Sequence, residues 1–269
     1  MPMPSNRIDP TCRPNVSVVL PTMNEAKNVG MVCKKLFAAK HSHKQIVSAI
    51  FVLNNTTDGT EKILEQIAEQ PEYEFVKIIH SEGSRGSAIR KGVEVAEGDV
   101  VVVMDSDGQY DPAEIPRVIR PIVEDQCPIV IARNHGWANI RRRVISETFK
   151  KLTRILLGVT CVQTGFKAGT KKALLDTIPE HVPGLDIDVR WVNNVVRKGY
   201  WHRLSDSVEV RLLPRTHGRS TFSPLKLSLG LLYTAVSLAV HRRTGRELPF
   251  PRRLKETTLQ PHKHLLVTG

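Results

Sequence analysis

At 269 residues, with 41% hydrophobic and 25% charged side chains, the chain is long enough for one substantial core. That composition excludes a disordered chain and a multi-span membrane protein. Lys plus Arg outnumber Asp plus Glu by 39 to 27, giving a formal net charge of +12 and a pI near 9.7, a field that points to an anionic partner without separating nucleic acid, lipid headgroup and phosphorylated substrate.

The opening residues, MPMPSNRIDPTCRPN, contain no apolar h-region, so no secretory signal peptide is expected. Apolar runs then recur with helical patterns between them. VSVVLPT, IVSAIFVLNN, FVKIIH, DVVVVMD and PIVIAR are predicted strands, and their near-continuous Val/Ile content suits a parallel sheet covered on both faces. Asn24 to Ala39, Asp58 to Gln70 and Ser84 to Glu97 carry apolar residues at three-to-four spacing and are predicted helices. This alternation predicts an α/β, doubly wound, mostly parallel sheet. Asp111-Pro112-Ala113-Glu114 has the acidic cap, early Pro and N3 Glu of a helix start, which ends the preceding strand near Met104.

After about Leu213 the turn-rich PRTHGRSTFSP leads into an uncharged stretch from Leu227 to Val240, shorter than the roughly 20 residues of a membrane span. Lys226, Arg242, Arg243, Arg246, Arg252 and Arg253 flank it, so it reads either as an amphipathic helix at a membrane surface or as a helix packed on the core. The expected organisation is an N-terminal extension (1–14), an α/β domain (15–222) and a basic C-terminal tail (223–269). The four cysteines, Cys12, Cys33, Cys127 and Cys161, are scattered without a C-x-x-C pair, against a zinc site or disulfide framework and for a reducing compartment.

The informative segment is VVVVMDSDGQYDP. In open α/β sheets ligands bind at the carboxyl ends of strands, where Thr22, Asn54, Asp105 and Asp107 all fall. Two carboxylates at the end of a buried strand repel each other and resist desolvation unless a positive charge joins them. Asp107 and the amide oxygen of Gln109 are hard ligands suited to Mg²⁺ or Mn²⁺. Taken alone, Asp-Ser-Asp-Gly is also ordinary turn chemistry.

LPTMNE (Leu20 to Glu25), TDGT (Thr57 to Thr60), RGSAIRKG (Arg85 to Gly92), AEGDVVVVMDSDGQYDP (Ala96 to Pro112), QTGFK (Gln163 to Lys167) and RTHGRS (Arg215 to Ser220) together resemble the family 2 glycosyltransferases of the GT-A fold. Within that family the chain is similar to the polyprenyl- and dolichyl-phosphate mannose or glucose synthases. The resemblance implies an inverting, metal-dependent transfer of a hexose from a GDP- or UDP-sugar to a polyprenyl phosphate, on the cytosolic membrane face. It implies that Pro21, Thr22, Asn24, Glu25, Asn54, Arg85, Asp105 and Ser106 line the nucleotide-sugar pocket. Asp107 and Gln109 would hold Mg²⁺ or Mn²⁺, and Asp105 and Asp188 are the candidate catalytic carboxylates. Arg133, Arg142, Ser146, Arg215 and Ser220 would meet the acceptor phosphate, for which the planar guanidinium is suited. Read from the residues alone, Asn24 is equally a helix cap, Asp188 a helix-start aspartate, and the arginines a solvated basic face.

The chain departs from the family pattern at Leu53-Asn54, Cys161, Arg190 and Thr221. Two other readings remain: a soluble or glycan acceptor, and a basic nucleic-acid-binding module. Against the latter stand the 5% aromatic content and the lack of a stacking-platform motif.

Overall fold

The computed structural model describes residues 14–136, 140–157, 164–180, 187–200, 204–205, 208–217 and 224–245. Its elements run β1 (Val16–Thr22), α1 (Ala26–Ser42), β2 (Ile46–Leu53), α2 (Thr60–Ala68), β3 (Val76–His80), α3 (Arg85–Val95), β4 (Val100–Met104), α4 (Ile115–Val123), β5 (Ile129–Ile131) and β6 (Arg133–Gly136). There follow α5 (Ile140–Leu157), β7 (Phe166–Thr170), α6 (Lys171–Thr177), α7 (Ile187–Arg197), β8 (Leu204–Ser205), β9 (Glu209–Leu212) and α8 (Pro224–Thr244).

The seven-stranded sheet has the order β3-β2-β1-β4-β7-β5-β8. All pairings are parallel except those of β7, which runs antiparallel to both β4 and β5. Strand order reverses between β1 and β4, so a crevice opens at their carboxyl ends.

The continuous apolar runs follow from burial on both faces. Along β4, Val100, Val102 and Met104 join the core under α1, α2 and α4, with Val29, Leu36, Leu64 and Ile119. Val101 and Val103 join the opposite core, with Ile89 of α3, Leu174 of α6 and Trp191 of α7. Each such side chain removed from water contributes roughly 1.5–3 kcal/mol.

Three expectations are corrected. PIVIAR is two strands: Ile129–Ile131 stays in the large sheet, whereas Arg133 N–H donates to Val208 O at 2.8 Å and opens a separate parallel pair, β6 with β9. Ala132 turns the chain between them while its own N–H still donates to Phe166 O. The Asp111 start is a short 3-10 helix, Pro112–Glu114, whose cap Asp111 accepts from Ala113 N–H at 3.0 Å; α4 begins only at Ile115. Glu114 does not reach back toward the cap, because it pairs with Arg117 at 2.8 Å.

At the C-terminal end, α8 buries Leu231 and Ala235 in the same core as Trp191, with Leu238 and Ala239 packed against it. Among the described residues no helix is long and apolar enough to cross a membrane.

Gly92 lets α3 settle onto the sheet. A Cβ there would overlap Val19 Cγ1 and lie 2.9 Å from Val52 Cγ2, both on stiff β-branched side chains. Gly92→Ala is expected to cost about 1–3 kcal/mol through overpacking. Gly30→Ala on α1, where a Cβ meets nothing within 4 Å, should gain up to about 1 kcal/mol of helix propensity. Urea unfolding midpoints moving in the same direction for both variants would refute this packing account.

Candidate functional site

The site is assembled where β1, β2 and β4 end. Thr22 closes β1 with its hydroxyl donating to Leu20 O at 2.9 Å, and Ser106 Oγ donates to Pro21 O at 3.2 Å, tying the β4 turn to β1. Asn54 N–H donates to Thr22 O, and its side-chain Nδ2 donates to Gly83 O at 3.1 Å, joining β2 to the loop before α3. Leu53, at the end of β2, is buried.

Asn24 does not cap α1. It sits at φ 55° and its Oδ1 accepts from Thr57 N–H at 2.7 Å. The open N–H groups at the start of α1 are met from the β2–α2 loop instead. Thr60 Oγ1 accepts from Glu25 N–H at 2.9 Å, and Asp58 Oδ2 accepts from Ala26 N–H at 3.0 Å. Local sequence offset alone could not show a cap supplied from more than 30 residues away.

Charged groups alternate through the crevice. Arg85, the first residue of α3, donates from Nη2 to Asp105 Oδ1 at 2.5 Å, and its Nη1 stands 4.0 Å from Asp188 Oδ1. Lys167 Nζ lies 2.8 Å from that same oxygen. On the other side, Arg215 Nη2 pairs with Asp107 Oδ2 at 2.6 Å and stands 3.7 Å from Glu25 Oε1. Glu25 Oε2 accepts from Asn28 Nδ2 at 2.6 Å. Among the described residues of this cluster four carboxylates, Glu25, Asp105, Asp107 and Asp188, face three cations, Arg85, Lys167 and Arg215.

The carboxylates are not equivalent. Burial pushes Asp105 upward, but the Arg85 charge and hydrogen bond, aided by Lys167 and Arg215, hold it below the ordinary aspartate range. Asp107 is raised by burial and by the Asp105 charge, which outweigh Arg215 and the Gln109 N–H bond. Glu25 is raised chiefly by burial, against its Asn28 and Arg215 contacts. Arg85 is held more firmly protonated by Asp105 and Asp188 in spite of burial.

Gln109 grips the segment that carries Arg215. Its Nε2 donates to Leu213 O at 3.0 Å and its carbonyl accepts from Leu213 N–H at 2.9 Å. Gln109 N–H also donates to Asp107 Oδ1 at 3.0 Å. The resemblance implies that Arg215 meets the acceptor phosphate; in the structure its guanidinium stands on the buried Asp107 carboxylate. Among the described residues no group of three His, Cys, Asp or Glu could hold a metal unaided. The donor set nevertheless fits a hard divalent cation that takes further oxygens from a ligand's phosphates. Asp107 and the Gln109 amide are oxygen donors, and Arg215 already marks the spot as one that attracts positive charge.

Of the remaining candidates, Arg133 is exposed on β6. Arg142 and Ser146 both fall on α5. Ser220, Cys161 and Thr221 lie outside the described residues, and Arg190 lies on α7 two residues after Asp188. Residue-by-residue reading missed Lys167, Thr164 and Tyr110. Tyr110 OH accepts from Gly165 N–H at 2.9 Å and its ring meets Phe166 edge-on; burial pushes its phenol up to about 12. The available signal was a lysine inside the otherwise uncharged strand FKAGT, since a fully buried lysine requires a partner. Gly165 is required at its place: a Cβ would overlap the Asp105 carboxylate and lie 2.8 Å from the Tyr110 ring.

A model of the family described as "Glycosyl transferase family 2" matches residues 17–178. An undecaprenyl-phosphate 4-deoxy-4-formamido-L-arabinose transferase of Pectobacterium carotovorum is 25% identical over 222 residues, covering 81% of this chain and 65% of that protein. Its counterpart in Photorhabdus laumondii is 27% identical over 221 residues, covering 81% and 66%. The chain therefore spans just under two thirds of the length of these relatives. A solved structure of Mycobacterium tuberculosis glucosyl-3-phosphoglycerate synthase, in complex with Mn²⁺ and uridine-diphosphate-glucose, has the same fold. Its TM-score is 0.62 at 18% identity, covering 84% of this chain and 79% of that one.

The opposite shifts of the two aspartates predict opposite pH behaviour. Native Asp107 binds its proton before the unfolded chain does, so wild type should gain stability over Asp107→Asn as pH falls from 7 toward about 4. Native Asp105 binds its proton after the unfolded chain, so the advantage of wild type over Asp105→Asn should hold to about pH 4 and shrink only below it. Urea titrations at several pH values check this, and parallel pH profiles for the two differences would contradict it.

Proposed function

The chain belongs to glycosyl transferase family 2, and on that premise we propose that it transfers a hexose from a GDP- or UDP-sugar to a polyprenyl phosphate, inverting the anomeric centre. The observation that carries this reading is the excess, among the described residues, of one carboxylate at the ends of β1 and β4, with Asp107 raised by burial and by Asp105. Such a site calls for added positive charge together with an anionic ligand, as a nucleoside diphosphate and a divalent cation would supply. The relatives whose names specify undecaprenyl phosphate support the acceptor class, as does the net charge of +12.

In this reading Pro21, Thr22, Asn24, Glu25 and Asn54 surround the nucleotide, while Ser106 keeps the β4 turn against β1. Arg85 and Asp105 form a fixed pair that orients the sugar and ribose hydroxyls. Asp107 and Gln109 hold Mg²⁺ or Mn²⁺, which when bound acts as a Lewis acid toward the leaving diphosphate. Arg215 then passes from Asp107 to phosphate oxygen, an exchange favoured because guanidinium pairs with phosphate in bidentate geometry. Arg133, Arg142, Ser146 and Ser220 meet the acceptor phosphate. That phosphate has a second pKa of about 6 and is largely ionised at neutral pH, so the chain supplies no strong base. Its oxygen attacks the anomeric carbon as the nucleoside diphosphate departs, and Asp188 lies on the sugar side of the Arg85–Asp105 pair. The enzyme works peripherally, on the cytosolic face of a membrane.

The test is turnover with GDP- and UDP-hexoses against polyprenyl phosphate and soluble acceptors, with Mn²⁺, Mg²⁺ or EDTA. Lipid-linked product that disappears with EDTA and falls about 10²–10³-fold in Asp107→Asn is expected, the scale of a lost transition-state charge contact. Turnover unchanged by both, or glycosylation of soluble acceptors alone, would overturn the proposal.

A further inference from the structure

Lys167 is the second residue of β7, registered between Val103 of β4 and Ile131 of β5, and is 1% exposed. An ammonium buried to that degree is strongly unfavourable unless it is paired and hydrogen-bonded. Three groups compensate it. Its Nζ donates to Thr164 O, stands 2.8 Å from Asp188 Oδ1, and lies 5.6 Å from the centroid of the Trp191 ring. Asp188 and Trp191 are three apart at the start of α7, so one helical face brings both to the lysine. Trp191 is itself fixed, its Nε1–H donating to Thr177 Oγ1 at 2.8 Å.

Asp188 Oδ1 is the unusual atom. It is enclosed and lies 2.8 Å from the Lys167 ammonium, while the Asp188 side chain as a whole keeps 13% of its surface exposed. Arg85 Nη1 is 4.0 Å from it on the other side, and the same guanidinium holds Asp105. The carboxylate is thus held by charge from two directions while part of it stays accessible.

We propose that Lys167 is a positioning residue: it fixes the first turn of α7 and aims the Asp188 carboxylate at a hydroxyl of the donor's sugar, beside the Arg85–Asp105 pair. This rests on the transferase reading of the site. Asp188 accepts a hydrogen bond from the hydroxyl with no proton transferred, and Lys167 itself touches no substrate. The consequence is a division of labour within the donor pocket. Affinity for the nucleoside diphosphate belongs to the Asp107 side, whereas affinity for the sugar depends on Lys167 through Asp188.

The experiment compares wild type, Lys167→Met, Lys167→Arg and Lys167→Met/Asp188→Asn by calorimetry with UDP against UDP-glucose and GDP against GDP-mannose, and by turnover. In Lys167→Met, nucleoside diphosphate affinity should change less than about 3-fold, while the extra affinity given by the sugar is lost and kcat falls about 10–100-fold, the scale of a misplacement near 1 Å. Lys167→Arg should recover part of both. The double variant removes the unpaired buried charge, so it should regain thermal stability without regaining kcat or sugar affinity. If Lys167→Met weakens diphosphate and diphospho-sugar equally, or if the double variant recovers kcat along with stability, Lys167 is purely structural and the inference falls. A wild-type protein with no turnover on any donor would overturn the transferase reading instead, and the calorimetric comparison would still decide the role of Lys167.

Discussion

Two carboxylates one residue apart, at the end of a strand buried on both faces, are the constraint around which this fold is arranged. Asp105 and Asp107 cannot both be desolvated as anions without cations close by. The chain brings those cations from three distant segments. Arg85 opens α3, Arg215 follows β9, Lys167 lies within β7, and Gln109 fastens the Arg215 segment beside the turn through Leu213. Even the antiparallel insertion of β7 serves the same end. It delivers Gly165, whose missing side chain leaves room for the Asp105 carboxylate, and the buried lysine two residues on.

The neutralisation is unequal. Asp105 is paired with an arginine on a helix that Gly92 seats firmly on the sheet, and its pKa falls. Asp107 has a cation from a loop, and its pKa rises even so. A tightly held pair beside a less well neutralised one fits the proposed entry of a cation and phosphates next to a sugar-orienting group. Perturbed carboxylates of this kind gather where function needs them.

Most of the architecture was legible in the sequence because burial on both faces leaves an unambiguous mark. The runs from Val16, Ile46 and Val100 read as parallel strands, and turning at their ends placed Thr22, Asn54, Asp105 and Asp107 together. What stayed hidden depends on long-range pairing. That Thr60 and Asp58 complete the start of α1, leaving Asn24 to hold Thr57, follows from two loops meeting. That Arg133 leaves the large sheet follows from β9, some 75 residues later in the chain. Lys167 was visible as a residue of QTGFK, but its task became definable only once α7 laid Asp188 and Trp191 against it. Local pattern specifies elements, and the partners of buried charge are specified by topology.

The central claim is that Asp107 and Gln109 form half of a cation site which phosphates complete. Electron paramagnetic resonance of Mn²⁺, titrated into the protein with and without a nucleoside diphosphate, tests it most directly. The account predicts weak Mn²⁺ binding to the protein alone, at least 10-fold tighter binding when UDP or GDP is present, corresponding to about 1.4 kcal/mol of coupling, and loss of that coupling in Asp107→Asn. Mn²⁺ bound equally well without nucleotide, or coupling preserved in Asp107→Asn, would contradict it.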